Sequence, residues 1–381
     1  MTGRMKEEKN ISFLDLHKIT SLHATEIAQA VQRAIDSGWY LRGHETEMFE
    51  KAYAEYIGTQ YCVGCGNGLD ALTLIFRAYK EMGLMHDGDE VIVPANTYIA
   101  SILAITRCNL TPILVEPDIT TLQIDDKKIE AAITPRTRAI MIVHLYGRCA
   151  YTETIGRICK EHNLRLVEDN AQAHGCIYRG SDTKYDKKHT GSIGDAAHSF
   201  YPTKNLGAIG DAGAITTNDS ELACLVRALA NYGSEQKYIF NYIGINSRID
   251  EVQAAVLRVR LPYLEQENAI RQAHAQRYYK EIDNPDIQLL PNSYLDQNVF
   301  HLFPILCTRR DTLREWLVAQ GIQTDVHYPI PPHKQQCYKE WLPLSLPITE
   351  HIHQCILSIP ISQVLTDEEQ TRIIHTINTF K

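Results

Sequence analysis

The sequence predicts an α/β protein: a largely parallel sheet covered by helices on both faces, followed by a smaller C-terminal α/β domain. Three observations carry this reading. Short apolar runs of strand length recur between residues 61 and 217, and helical stretches fall between several of them. Strands alternating with helices are the pattern of a parallel sheet buried on both sides. Past about Asp250 the pattern changes to a long helical stretch and then a mixed segment.

The elements follow in order. Residues 21–38 read as an amphipathic helix, with Ile27, Val31 and Ile35 four apart on one face and Gly38 ending it. A second helix is expected at 45–56. Strands are expected at 61–64, 90–93, 112–115, 139–144, 165–168, 197–200 and 213–217, and helices at 69–82, 98–108, 151–162 and 220–232. The charged, turn-rich stretch 179–190 reads as a surface loop or hairpin insertion. Residues 250–282 read as one long helical stretch, followed by a strand at 299–306 and a helix at 311–320. Tyr328-Pro329-Ile330-Pro331-Pro332 must be extended loop, because proline excludes both helix and central strand. Thr366-Asp367-Glu368-Glu369 fits a capping box opening the last helix. The expected division is residues 1–250 as the large domain and 251–381 as a connecting helix plus the small domain.

Composition narrows the function classes. With 44% hydrophobic and 22% charged residues, the 381-residue chain has ample material for a core. A net charge of −8 gives no global attraction to nucleic acid or to an anionic membrane. There is no run of about 18 apolar residues, and Met1 to Asn10 is polar with no hydrophobic signal segment. A cytoplasmic protein that binds neither nucleic acid nor membrane is the expectation. The ten cysteines are scattered, and Cys159, Cys224, Cys307 and Cys355 sit in apolar periodic segments as small hydrophobes do. Cys62 and Cys65 lack a second pair at zinc-finger spacing, so a reduced structural pair is expected there and no metal site.

Sheets of this kind bind ligands beyond the carboxyl ends of their strands, and three constellations fall there. The apolar run 164–167 ends in Glu168-Asp169-Asn170-Ala171-Gln172-Ala173-His174-Gly175. A carboxylate at that mouth could be a metal ligand, a general base, a partner for a cationic ring, or a helix cap. Ser199-Phe200-Tyr201-Pro202-Thr203-Lys204 places a lysine in a loop after a later strand. It is either an ordinary surface lysine or a partly desolvated amine whose pKa falls and which can attack a carbonyl. Gly64-Cys65-Gly66-Asn67-Gly68-Leu69 turns from a strand into an apolar helix, where backbone N–H groups can cradle a phosphate or simply make a tight turn. Together, a phosphate cradle, an acid and a lysine match the needs of pyridoxal 5′-phosphate (PLP): donors for its phosphate, an acid for its ring nitrogen, an amine for its aldehyde.

These motifs resemble the DegT/StrS-type sugar aminotransferases, a branch of the fold-type I PLP enzymes. The resemblance runs through Ser37-Gly38-Trp39-Tyr40, Gly88-Asp89-Glu90-Val91-Ile92-Val93-Pro94, Val143-His144-Leu145-Tyr146-Gly147, the Asp169 and Lys204 motifs, Asn246-Ser247-Arg248 and His327-Tyr328-Pro329. It implies a large domain with a mixed, mostly parallel sheet flanked by helices. It also implies roles. Lys204 holds PLP as its internal aldimine and moves protons, and the cofactor passes through its pyridoxamine form. Asp169 pairs with the ring nitrogen, and Gln172 sits by the phenolic oxygen. Gly68, Leu69 and Ser199 bind the phosphate, and Tyr98 stacks on the ring or packs in the core. Asn246 reaches the phosphate of a neighbouring subunit, which makes the expected enzyme a homodimer with shared sites.

Relatives with histidine at the position of Lys204 dehydrate their sugars, so lysine favours transamination. The implied reaction moves an amino group from glutamate, leaving 2-oxoglutarate, to a keto carbon of a nucleotide-linked deoxysugar. The stretches at 66–72, 95–101 and 169–175 look most like members that aminate C3 of dTDP-3-keto-6-deoxyhexoses, in amino-sugar biosynthesis for glycans such as lipopolysaccharide or S-layer. C4 amination, a PLP-dependent dehydratase and a PLP-bound regulator are the alternatives. His144, Tyr201, His327 and Tyr328 are candidates for the sugar or nucleotide side, each with a structural role as the other possibility.

Overall fold

The computed structural model describes residues 10–291 and 295–381. Of the polar stretch Met1 to Asn10, residues 1–9 lie outside the described residues. Seven strands form the main sheet: β1 Tyr61–Cys65, β2 Glu90–Pro94, β3 Thr111–Val115, β4 Thr137–Val143, β5 Arg165–Asp169, β6 Asp195–Ser199 and β7 Gly213–Thr217. Their order across the sheet is β1-β7-β6-β5-β4-β2-β3. The pairs β2/β3, β2/β4, β4/β5 and β5/β6 are parallel, whereas β7 runs antiparallel to both β6 and β1. The reversal of β7 leaves β1 to β6 with their carboxyl ends on one edge.

Side chains alternate between the two faces of each strand, and both faces are buried. Val91, Val93, Met141, Val167 and Ile215 point into a core shared with the helices Gly68–Glu81, Ile99–Thr106 and Ser220–Leu229. Ile92, Ile140 and Ile142, one residue out of phase, meet Ile155 and Ile158 of the helix Glu153–Glu161 on the other face. Each such aliphatic side chain taken out of water contributes about 1.5–3 kcal/mol. That is why these strands read as continuous apolar runs rather than alternating ones.

The first long helix, Ala24–Ser37, ends at Gly38, whose φ of 64° makes the left-handed cap that glycine adopts without strain. A short helix Leu16–Ser21 and a two-stranded hairpin, β8 Ser234–Gln236 with β9 Ile239–Phe240, were not expected. The stretch 250–282 is two helices, Glu251–Arg260 and Leu264–Glu281, with a 3₁₀ turn at Leu261–Tyr263 between them. Pro262 sits at the start of that turn, where its missing N–H costs nothing.

The C-terminal sheet is antiparallel: β10 Gln288–Leu289, β11 Phe303–Leu306 and β12 Ile356–Ile359. The helices Arg310–Ala319 and Asp367–Asn378 accompany it, the latter opening on the Thr366/Glu369 capping box. The expected strand at 299–306 is confined to β11, and 299–302 is loop. Two sets of contacts span residue 250. Ile11 pairs with Ile322 and lies in the C-terminal core, while Glu251–Arg260 packs on the helices Ala24–Ser37 and His44–Ile57.

Cys62 and Cys65 are buried thiols whose pKa burial pushes well above the ordinary range. Cys224 is exposed, against the expectation of a buried hydrophobe, because it lies on the outer face of its helix. Among the described residues no helix is long and apolar enough to cross a membrane.

Candidate active site

A cavity of about 520 Å³ opens at the carboxyl edge of the main sheet. Five strand ends supply its wall: residues from 67–72 after β1, from 98–103 after β2, Val143 and Leu145 at β4, from 169–172 at β5, and from 199–204 at β6. Asp211 enters just before β7, and His301, His327 and Tyr328 close the cavity from the C-terminal part.

The glycine turn is built for close approach. Asn67 caps the Gly68–Glu81 helix by accepting from the Asp70 N–H at 2.9 Å. Gly68 and Leu69 follow in the first turn, where N–H groups have no carbonyl four residues back. A Cβ on Gly68 would lie 2.7 Å from Ser199 Cβ, so the helix start and the end of β6 meet only because this residue has no side chain. Ser247 braces the turn from outside: its hydroxyl accepts from Gly66 N–H at 3.0 Å and donates to Asp70 at 2.7 Å.

Asp169 ends β5 with its carboxylate buried. Ser101 Oγ donates to Oδ2 at 2.8 Å and Ala171 N–H to Oδ1 at 3.2 Å. Burial raises its pKa against those donors and the nearby Lys204. Lys204 follows β6 in a loop that closes on itself, Ala208 N–H donating to Phe200 O at 2.8 Å and Lys204 N–H to Tyr201 O at 2.8 Å. Burial lowers the Lys204 amine from 10.5 to about 8, with Asp169 opposing the fall. The pair therefore puts an amine that deprotonates near neutral pH and an enclosed acid on one cavity wall.

The other expected residues divide. Gln172 accepts from Tyr146 N–H at 2.6 Å and donates to the Tyr328 hydroxyl at 3.0 Å. Tyr98 is half exposed, and its ring lies 5.2 Å from that of Tyr328, so it is not core packing. Tyr201 is exposed at the mouth. His327 Nδ1 meets Ser358 Oγ at 3.0 Å.

His144 is not brought to the cavity. It is fully buried, its Nε2 2.9 Å from Glu168 and its Nδ1 accepting from Ala150 N–H at 2.9 Å. Glu168 is the cause: its side chain points away from Asp169 into the protein, where His144 and the N–H groups of Gly191, Ile193 and Gly194 satisfy it. Asn246 is exposed and does not line this chain's own cavity.

Two titratable lining residues were missed. His301 is buried and bonded to Asn205 at 3.3 Å, and Asp211 follows Gly210 at the loop's return. Neither carried a sequence signal beyond Asp211's place beside the glycines.

The DegT/DnrJ/EryC1/StrS aminotransferase family model matches residues 22–378. The chain is 52% identical over 371 residues to the dTDP-3-amino-3,6-dideoxy-alpha-D-galactopyranose transaminase of Aneurinibacillus thermoaerophilus, covering 97% of this chain and 99% of that protein. It superposes on the crystal structure of S. venezuelae DesV in complex with a ketimine intermediate with a TM-score of 0.92, at 43% identity and covering 97% of this chain and 98% of that one. The structure of NtdA from Bacillus subtilis with bound PMP matches with a TM-score of 0.87 at 31% identity, over 98% of this chain and 86% of that one.

Proposed function

This chain belongs to the DegT/DnrJ/EryC1/StrS aminotransferase family, and from that premise we propose that it moves an amino group from glutamate to C3 of a dTDP-linked 3-keto-6-deoxyhexose, using PLP. The observation that carries the proposal is the shared cavity wall of Lys204, Asp169 and the Gly68 helix start. The identity to a transaminase named for a 3-amino sugar supports the regiochemistry.

The residues present fit the cofactor. Gly68 lets Ser199 lie against the first turn of the helix, so the N–H groups of Gly68 and Leu69 and the Ser199 hydroxyl would together take a phosphate. Asp169, held by Ser101 and Ala171, offers a fixed carboxylate to a ring nitrogen. Tyr98, half exposed on the cavity wall, would stack on the ring. Bound there, PLP supplies an aldehyde for the amino group and a ring that withdraws electrons from the reacting carbon.

The protein's own part is proton handling and positioning. Lys204, neutral above about pH 8, is the base that takes a proton at one carbon and returns it at another. Asp169, fixed by two donors while burial raises its pKa, would share a proton with the ring nitrogen and so hold the ring in place. Gln172, tied to Tyr146 and Tyr328, links the cofactor side of the cavity to the loop that bears His327. That loop and Tyr201 form the sugar-nucleotide side. Asn246, exposed and away from this chain's own cavity, would serve the site of a second copy, so the working enzyme would be a homodimer; we place it in the cytoplasm, where such a nucleotide sugar would be made.

The test is incubation with PLP, glutamate and a panel of 3-keto and 4-keto dTDP- and UDP-sugars, read by mass spectrometry. Glutamate-dependent product from dTDP-3-keto sugars is expected. Product from 4-keto sugars alone overturns the C3 assignment, and turnover without glutamate makes the protein a lyase or dehydratase.

A further inference from the structure

The segment 326–335 carries His327 and Tyr328 to the cavity, yet three of its residues, Pro329, Pro331 and Pro332, have no N–H to give to a sheet. Side chains must hold such a loop. At its start, Asp325 pairs with Ser358 of β12 and His327 Nδ1 meets the Ser358 hydroxyl at 3.0 Å. Beyond its end, Tyr338 sinks into the large-domain core, its hydroxyl 2.9 Å from Thr106 Oγ1. Between these anchors stands His333, fully buried, with Nε2 3.0 Å from Glu350 Oε1.

Glu350 lies in the first turn of the helix Pro347–Cys355, and the same oxygen also takes Lys334 Nζ at 3.3 Å and Leu346 N–H at 3.1 Å. The start of that helix is itself fastened to the main sheet. Glu116, one residue past β3, accepts from Ile348 N–H and Thr349 N–H at 2.9 Å each, and from the Thr349 hydroxyl. A continuous path therefore runs from β3 through Glu116, the helix, Glu350 and His333 to the loop over the cavity. No member of this path lines the cavity.

We propose that Glu116, Glu350 and His333 form a strut that fixes the 326–335 loop over the cavity, with His333 and Glu350 as positioning residues for the sugar nucleotide. The strut's effect on substrate rests on the function proposed above; its effect on the loop does not. Release of the strut loosens the loop without touching Lys204 or Asp169. The amino-acceptor half of the reaction suffers, and the glutamate half, which needs a smaller ligand, does not.

The experiment compares the PLP-loaded wild type with His333→Phe and with the conservative Glu350→Gln, which keeps an oxygen able to accept from Leu346 and His333. Amide hydrogen exchange of the peptide covering 326–335 is expected to quicken by about tenfold or more in His333→Phe and by less than about threefold in Glu350→Gln, with the peptides bearing Asp169 and Lys204 unchanged. The keto-sugar KM is expected to rise about tenfold with kcat within about twofold, and the glutamate half-reaction, followed by the cofactor's absorbance, within about twofold. If His333→Phe does not fold, Glu350→Ala takes its place. Unchanged exchange in 326–335, or equal loss in both half-reactions, overturns the strut. A wild type that turns over no keto sugar contradicts the proposed function instead, and the exchange result still decides the strut.

Discussion

Lys204 owes its usefulness to two opposed forces. Burial favours the neutral amine and Asp169 favours the charged one, and burial wins, leaving the group near 8 instead of 10.5. The folded protein thus binds fewer protons than the unfolded chain between about pH 8 and 10.5. The penalty of burying a charged lysine is full below pH 8 and is relieved as pH rises through that window. In the cofactor-free protein, labelling of Lys204 by an amine-reactive reagent should rise with pH around a midpoint near 8. Asp169→Asn should move that midpoint lower, since the charge that sustains the ammonium is gone. Peptide mapping by mass spectrometry reads both; a midpoint near 10.5 would contradict the burial argument. At this scale the sequence was partly legible. Asp169 and Lys204 announced themselves by following apolar strands, but His144 follows one too and turns inward. What decides between them is the buried carboxylate of Glu168, which claims the imidazole. His301 lies 97 positions after Lys204, and only folding brings it to the cavity.

At the scale of elements, the strand ends act together because β1 to β6 open on one edge and five of them reach the cavity, and the contact of Gly68 with Ser199 sets how closely β1 and β6 approach each other there. Gly68→Ala should weaken PLP retention by about tenfold while leaving the main sheet intact, since the added methyl must push either Ser199 or the helix start away. Dialysis followed by absorbance measures the retention, and unchanged retention would remove the turn from the site. The seven strands of the main sheet were readable because two-sided burial forces apolar runs of five or so residues. β12 was not, because the helix Pro347–Cys355 runs into it without a glycine or proline between. The β8/β9 hairpin was hidden because its strands are only three and two residues long, too short to show a period, and the break in the 250–282 helix rests on the single Pro262.

For the whole molecule, the seven-stranded and three-stranded sheets lie on either side of residue 250, and we propose 1–250 and 251–381 as the working division, with Ile11 tying the N-terminal segment to the C-terminal core. Tyr238, Ile239, Phe240 and Ile243 on and beside the β8/β9 hairpin are all more than half exposed. Such a patch is unusual on a lone soluble chain and suits a second copy. If sites are shared, mixing inactive Lys204→Ala with inactive Asn246→Asp should restore about a quarter of wild-type activity, because half of the dimers are mixed and each regains one intact site. No recovery on mixing would mean that each chain carries a complete site. The function proposed for this cavity requires that the cofactor be held on Lys204. Loading the protein with PLP, reducing with borohydride and mapping peptides tests this most directly. The phosphopyridoxyl mass should appear on the peptide containing Lys204 and on no other. Its appearance on a different lysine, or on none, would contradict the assignment of this cavity.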